Sequence, residues 1–93
     1  MNRSRTFNFE EMDKLEAYLG EKKIDHARSS IHDGQQIIVF NDGGRVWDVV
    51  LHSYSYGCEE NLLEAMGEAL LGHDDVEGYL TAEDVISYIE KRR

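Results

Sequence analysis

"QQIIVFNDGGRVWDVVLHSY", residues 35–54, is the stretch that decides the fold of this chain. Two runs rich in β-branched and aromatic residues flank the turn sequence NDGG, whose glycines permit the positive φ that tight turns require. An Asp-Gly pair, Asp33-Gly34, precedes the first run and is typical of a β-hairpin. We therefore predict three antiparallel strands joined by short turns, with the weakest strand in IDHARSSIH, residues 24–32.

Capping signals predict a helix on each side of these strands. Asn8 with Glu11 three residues later has the pattern of a capping box, and Gly20 is expected to end that first helix. Near the carboxyl terminus, Thr81 with Asp84 repeats the capping-box pattern and begins the last helix. The first and last helices are thus each predicted from a local signal at their amino end.

A further helix is predicted over about residues 58–71. Leu62, Leu63, Met66 and Leu70 recur there at helical spacing. Gly67 lies inside this segment and indicates a close approach to another backbone. The resulting fold class is α+β, a three-stranded antiparallel meander with three helices in the order α-β-β-β-α-α.

Length and composition predict one small domain. The 93 residues contain no proline and no low-complexity linker, so a single domain over 1–93 is expected, with residues 1–6 flexible. No apolar run approaches the roughly 18 residues of a membrane span. The single cysteine, Cys58, cannot form an internal disulfide, which favours a reducing, cytoplasmic compartment.

The charge is unevenly distributed along the chain. The net charge is −9, and from Val46 to Glu90 there are eleven carboxylates and no Lys or Arg. A negative field of this kind repels nucleic acid and anionic membranes and speeds the encounter with a basic partner. The alternative is that the acidic residues serve only solubility.

In the third strand, large apolar residues share one face, and the polar residues Asp48 and His52 share the other. Alternation puts Trp47, Val49 and Leu51 on the face that packs in the core. Asp48 and His52 share the other face, but their Cα atoms are about 13 Å apart at the ordinary rise of a strand, too far for a catalytic dyad. The simpler interpretation is that both belong to a solvated face of the sheet.

The turn after this strand, HSYSYGCEE, admits three interpretations. A nucleophilic Cys58 is disfavoured because Glu59 and Glu60 oppose thiolate formation and the Gly-x-nucleophile-x-Gly pattern is absent. We therefore predict no catalytic residue and no enzyme. An anion cradle at a helix amino terminus is the second interpretation. Its ligand-binding residues would be His52, Ser53, Ser55, Tyr56 and Gly57.

The third interpretation is a protein-binding surface. Tyrosines are frequent anchors at interfaces, and carboxylates beside them suit a basic partner. The predicted partner-binding residues are Asp48, Tyr54, Tyr56, Glu59, Glu60, Glu64, Asp74, Asp75 and Glu77. His73 to Glu77 also carry the donors of a hard-metal loop, but without EF-hand spacing. We predict neither a metal nor a cofactor.

Several motifs resemble those of small uncharacterised proteins of phages and integrative elements of Gram-positive gut bacteria. The resemblance runs from about Phe7 to Arg92. Its most specific parts are Trp47-Asp48, His52, Ser55-Tyr56-Gly57 with Glu60, and the segment LTAEDVI from Leu80 to Ile86. It implies a protein that acts in the cytoplasm of a bacterial host.

Size, charge and the predicted element order also resemble one class of acidic anti-CRISPR proteins, which occupy the basic groove of the type II CRISPR nuclease. That nuclease holds nucleic acid in positively charged channels. The leading hypothesis is an inhibitor of a host defence nuclease that mimics nucleic acid, without direct nucleic-acid or membrane contact, as a monomer or weak dimer. The alternative is a module that sequesters a nucleotide signal of host defence at residues 52–60.

Overall fold

The computed structural model describes residues 7–41 and 44–91. The flexible segment predicted for residues 1–6 lies outside them, as do two residues of the NDGG turn. The elements are α1 (Glu10–Glu21), β1 (His26–Ile31), β2 (Gly34–Asn41), β3 (Gly44–Leu51), a 3₁₀ turn (Cys58–Glu60), β4 (Leu63–Met66), α2 (Glu68–Leu71), β5 (Val76–Leu80) and α3 (Ala82–Lys91). No helix in this part of the chain has the length and apolar character needed to cross a bilayer.

The sheet has five strands in the order β1-β2-β3-β4-β5, each antiparallel to its neighbour. The prediction of an α+β domain with an antiparallel sheet is confirmed, and so is the hairpin at Asp33-Gly34, which joins β1 to β2. The prediction of a three-stranded meander is wrong. One additional strand, β4, lies where the second helix was expected. The other, β5, lies in HDDVEGYL, residues 73–80, which the sequence predicts as a loop with at most a short extended piece.

Positive φ angles explain why no long helix forms over residues 58–71. Asn61 and Gly67 have φ of 59° and 136°, which no α-helix accommodates. Gly67 is irreplaceable, because a Cβ there would lie 2.4 Å from the Cβ of Trp47. The predicted close backbone approach at Gly67 is confirmed, but it ends β4 instead of lying inside a helix.

One face of the sheet packs against all three helices. The buried strand residues of this face alternate along the chain, and the buried residues of the helices join them in a single apolar core. The members from the strands are Ile37, Val39, Trp47, Val49, Leu51, Leu63, Ala65 and Leu80; those from the helices are Met12, Leu15, Leu19, Leu70, Leu71, Ala82, Val85 and Ile89. Asp48, Val50, Glu64 and Met66 lie on the other face, here called the open face. Asp48 and Val50 are buried on that face, so the interpretation of Asp48 as a solvated residue is wrong.

The two long helices run parallel and are joined at both ends. Glu11 accepts a hydrogen bond from the backbone N–H of Ala82 (2.7 Å), and the Tyr18 hydroxyl donates to Glu90 (2.9 Å). Glu11 therefore caps α3 instead of forming the predicted capping box with Asn8. Gly20 does not end α1, which continues to Glu21.

The capping box of the last helix is confirmed. The Thr81 N–H donates to the carboxylate of Asp84 (2.9 Å), and the Asp84 N–H donates to the Thr81 hydroxyl (3.1 Å). Reciprocal bonds of this kind satisfy two backbone donors and fix the start of a helix.

Candidate protein-binding surface

The turn that follows β3, residues 52–57, is held by hydrogen bonds within the chain. The backbone N–H of Ser53 donates to Asp33 (2.9 Å), and the Ser53 hydroxyl donates to the same carboxylate. The N–H of Tyr54 donates to Nδ1 of His52 (3.0 Å). The N–H of Ser55 donates to the carbonyl of His52 (3.0 Å), so three successive amides are satisfied locally.

The next amide of the turn, that of Tyr56, is hydrogen-bonded to Glu64. Its Oε1 accepts the backbone N–H of Tyr56 at 2.8 Å. Ser55 is buried, and its hydroxyl both donates to the carbonyl of His52 (2.9 Å) and accepts the His52 N–H (3.0 Å). Cys58 is also buried, with its thiol 3.6 Å from the carbonyl of Ser53.

This hydrogen bonding leaves little for an anionic ligand to bind. The helix amino terminus on which the ligand cradle was predicted is a three-residue 3₁₀ turn. The amides of residues 53–56 donate to acceptors of this chain, and two of those acceptors, Asp33 and Glu64, are carboxylates. The carboxylates occupy the positions that a phosphate would need.

Two histidines and a tyrosine form an aromatic cluster at the end of β3. The rings of His32 and His52 are 4.8 Å apart between centroids, and Tyr54 lies 5.4 Å from His32 and 6.0 Å from His52. Partial burial, together with the neighbouring His32, lowers the pKa of His52. Its Nδ1 accepts the Tyr54 N–H, so the neutral ring carries its proton on Nε2.

A β-bulge in β5 brings a third tyrosine to the same end of the sheet. The register of β4 and β5 shifts between Leu63 and Ala65, and Tyr79 has a left-handed φ of 58°. The Tyr79 N–H donates to the carbonyl of Tyr56 (3.3 Å), which joins the bulge to the turn 52–57. Bulges of this kind re-aim a side chain.

Tyr79 is further fixed by an acidic neighbour. Its hydroxyl donates to the carboxylate of Glu59, and this bond raises the pKa of Tyr79. The site prediction did not include Tyr79, because it lay in a segment interpreted as a loop. Gly78 before it was the available signal, since an isolated glycine in a short strand often marks a bulge. A Cβ at Gly78 would lie 2.3 Å from the Cβ of Tyr56.

Three exposed tyrosines therefore share one end of the sheet. Tyr54 is 79% exposed, Tyr56 61% and Tyr79 52%. We call these three residues, together with Glu59 and Glu64, the tyrosine surface. Their backbone is held by hydrogen bonds, and large exposed aromatic side chains are enriched at protein-binding sites.

The other predicted partner-binding residues lie elsewhere. Asp48 is buried, and its carboxylate accepts a hydrogen bond from Gln36 (3.0 Å) and lies 3.3 Å from Arg45. Glu60 faces a groove at the start of α1 beside Asn8 and Glu10. Neither residue contributes to the tyrosine surface.

Asp74, Asp75 and Glu77 belong to the opposite end of the sheet. They surround the start of β5, where Val76 pairs with Met66, whereas the turn 52–57 adjoins the end where Leu63 pairs with Leu80. Glu77 lies 3.0 Å from His73. Apart from Asp48 and Glu60, the predicted acidic residues thus form two separate regions.

Three carboxylates of these two regions form no ion pair with a described lysine or arginine. Among residues 7–41 and 44–91, no Lys or Arg side chain forms an ion pair with Glu64, Asp74 or Asp75. The described arginines are already engaged, since Arg28 pairs with Asp13 and Glu16 and Arg45 pairs with Asp48. Each region therefore keeps negative charge that could attract a basic partner.

The described residues contain no group of three or more His, Cys, Asp or Glu side chains arranged to hold a metal ion. An open depression of about 460 Å³, lined partly by Ile24, Phe40, Val46 and Trp47, lies at the end of the sheet away from the tyrosine surface. Its lining offers Lys23 and Asp25 as charged groups, and it is not continuous with the turn 52–57.

Comparisons with known proteins place the chain in no family. No protein-family model matches it, and no significant match was found among curated proteins or among solved structures. Its function must therefore be argued from its own surface.

Proposed function

We propose that this protein binds a basic surface of a protein partner through the tyrosine surface, and that the partner is a nuclease of host defence, with a type II CRISPR nuclease as the leading case. The proposal makes the protein an inhibitor that competes with nucleic acid for a positively charged channel. The alternative, a nucleotide-sequestering module, is not favoured, because the amides of the turn 52–57 are already bound by this chain.

The observation that carries the proposal is the combination of exposed tyrosines with neighbouring carboxylates. Tyr54, Tyr56 and Tyr79 supply large contact area, and Glu59 and Glu64 lie among them. Arginines that bind phosphates bind carboxylates through the same charge-assisted hydrogen bonds. Arginine also stacks on aromatic rings. A channel that holds single-stranded or duplex nucleic acid offers such arginines.

The nuclease assignment draws on the motifs that resemble proteins of phages and integrative elements. The likeness to the α-β-β-β-α-α class of anti-CRISPR proteins gives no support, because the fold has five strands and a different element order. The proposal therefore depends on surface chemistry and not on shared architecture.

The direct test is a cleavage assay. Guide-loaded type II nucleases from several bacteria are incubated with micromolar protein, and the rate of target DNA cleavage is measured. Inhibition is expected for at least one nuclease and should weaken as salt rises, because exposed charges are screened over about 8 Å at physiological ionic strength. If no nuclease binds the protein or is slowed by it, the nuclease assignment is wrong.

Matched charge variants locate the binding surface. Glu59→Gln with Glu64→Gln removes two charges from the tyrosine surface, and Asp74→Asn with Asp75→Asn removes two from the opposite end of the sheet. The first pair is expected to weaken inhibition at least tenfold and the second pair less than threefold. Equal effects would show that only net charge matters, and the tyrosine surface would then not be the binding site.

A further inference from the structure

The two edges of the sheet differ in how they are protected. β5 carries a bulge at Gly78 and Tyr79, and its Tyr79 N–H is taken by Tyr56. β1, the other edge, pairs with β2 over six residues, His26–Ile31, without a break in register. It has no proline, no lysine and no bulge, which are the devices that normally protect an edge strand.

Alternation along β1 identifies the backbone groups that point away from the sheet. The Phe40 N–H donates to the carbonyl of Asp25 (3.0 Å), so these two residues form a hydrogen-bonded pair. In an antiparallel ladder such pairs recur at every second residue. Ala27, Ser29 and Ile31 therefore bond to β2. The N–H and C=O groups of the intervening residues, His26, Arg28 and Ser30, point outward.

The charged side chain of β1 does not obstruct this edge. Arg28 is held against the domain by Asp13 and Glu16, each at 2.9 Å from Nη1, and its Nε donates to Gln35 (2.7 Å). Ala27, Ser29 and Ser30 are small and exposed. A second strand can approach the outward-pointing groups without displacing a charged residue.

The charge distribution along the chain favours association of two copies through β1 over association through β5. The chain from Val46 to Glu90 has eleven carboxylates and no Lys or Arg, whereas residues 20–32 contain three Lys or Arg and two acidic residues. A second copy of this chain that approaches through β1 keeps the two acidic halves at opposite ends of the assembly. Approach through β5 would bring the acidic halves together.

We propose that β1 is a dimerisation edge, on which β1 of a second copy adds in antiparallel orientation to give a continuous ten-stranded sheet. With Ser29 at the two-fold axis, Arg28 pairs with the partner's Ser30, and Ala27 faces the partner's Ile31. Arg28 and Ser30 both have backbone groups that point outward, so they can form hydrogen bonds across the axis. Ala27 and Ile31 lie on the same face of the sheet, so their side chains meet. The proposal does not depend on the nuclease assignment. It implies that the dimer carries two tyrosine surfaces far from its axis.

The first test is residue-resolved amide hydrogen exchange with sedimentation velocity over a concentration series. A strand pair that overlaps over five residues, 27–31, buries less than the roughly 1,000 Å² of a stable interface, so a weak, reversible dimer is expected. The mass should double at high protein concentration. The amides of Arg28 and Ser30 should gain protection in parallel, whereas those of Ala27, Ser29 and Ile31 are protected at every concentration.

The second test is a matched pair of substitutions. Ser29→Lys places a charge at the middle of the exposed edge strand, and Ser87→Lys makes the same change at an exposed position on α3. We expect the first variant to stay monomeric and the second to dimerise as the wild-type protein does, with circular dichroism confirming that both are folded. A monomer at every concentration, a dimer that survives Ser29→Lys, or a dimer in which the amides of Arg28 and Ser30 stay unprotected would overturn the proposal.

Discussion

Glu64 and Tyr56 connect two segments that are separate in the sheet. Glu64 is opposite Val50 on the open face, yet its Oε1 accepts the backbone N–H of Tyr56 at 2.8 Å. This bond ties β4 to the turn 52–57 and so orients Tyr56, whose carbonyl in turn accepts the Tyr79 N–H. One carboxylate of the tyrosine surface therefore also has a structural role.

Substitution of Glu64 should separate these two roles. Glu64→Ala leaves the Tyr56 N–H without its acceptor and is expected to lower the free energy of unfolding by about 1 kcal/mol. Glu64→Gln retains an oxygen acceptor and should cost less than half as much. Urea denaturation of both variants measures the difference. Equal stability of the Ala and Gln variants would show that the bond does not hold the turn.

Two glycines should respond to the same substitution in opposite directions. A Cβ at Gly34 would lie 1.8 Å from the carbonyl oxygen of Leu51, so Gly34→Ala is expected to cost at least about 2 kcal/mol, as overpacking does. Gly20 lies in α1, where a Cβ would meet no atom within 4 Å, and Gly20→Ala should stabilise by about 0.5–1 kcal/mol. Thermal unfolding of the two variants is the measurement. A neutral Gly34→Ala would contradict the close approach of β2 and β3.

A pair of alanine substitutions tests whether residues 63–66 form a strand. On a strand Leu63 faces the core and Met66 the open face, and Met66 is 46% exposed. Leu63→Ala is therefore expected to cost about 2–5 kcal/mol. Met66→Ala should stay within about 0.5 kcal/mol, as surface substitutions do. A large loss for both would instead indicate the helical arrangement, in which both residues are buried.

The aromatic cluster of His32, His52 and Tyr54 predicts a pH dependence of stability. Because the pKa of His52 is lowered in the folded state, the unfolded chain takes up the proton first as pH falls. This contribution is fully present above the ordinary histidine pKa of about 6.5 and is lost as pH falls below it. Protonation of Nδ1 would also break the bond from the Tyr54 N–H.

His52→Asn is the control for this prediction. The Asn side chain offers an oxygen near the position of Nδ1 but does not titrate, whereas His26, His32 and His73 remain. The loss of thermal stability on acidification below neutral pH should be smaller in the variant than in the wild-type protein. Identical pH profiles would assign the dependence to the other histidines.

The parts of the fold that were predictable have strong local signals. The hairpin at Asp33-Gly34 and the capping box of Thr81 and Asp84 each depend on a few adjacent residues. The core face of β3 follows from the alternation of Trp47, Val49 and Leu51, although Asp48 and Val50 between them are buried as well. In these cases local preference and tertiary packing agree, so the sequence pattern sufficed.

The segment from Cys58 to Leu71 was not predictable from its periodicity. Leu62, Leu63, Met66 and Leu70 fit a helix as well as they fit a turn followed by a strand of four residues. Positive φ at Asn61 and Gly67 interrupts a helix over this segment, and both residues contact distant parts of the chain. Asn61 accepts a hydrogen bond from the Asn8 N–H (3.0 Å). At Gly67 the distant part is Trp47, which leaves no room for a Cβ. Such contacts are invisible in a local pattern.

The candidate site was predictable only in part. Tyr54 and Tyr56 were identified from the turn sequence, but Tyr79 joins them through a bulge, and the acidic residues divide between two ends of the sheet. The capping role of Glu11 was equally hidden, because its carboxylate accepts the N–H of Ala82 from 71 positions away in the chain.

The bond between Glu11 and the Ala82 N–H also bears on how the protein is made. Translation delivers α1 first and α3 last, and domains generally fold as units when their last element emerges from the ribosome. Until Ala82 to Ile89 is synthesised, the apolar side of α1 has no α3 to pack against. We expect nascent chains that end before residue 82 to remain protease-sensitive on the ribosome, and protection to arise in a single late step.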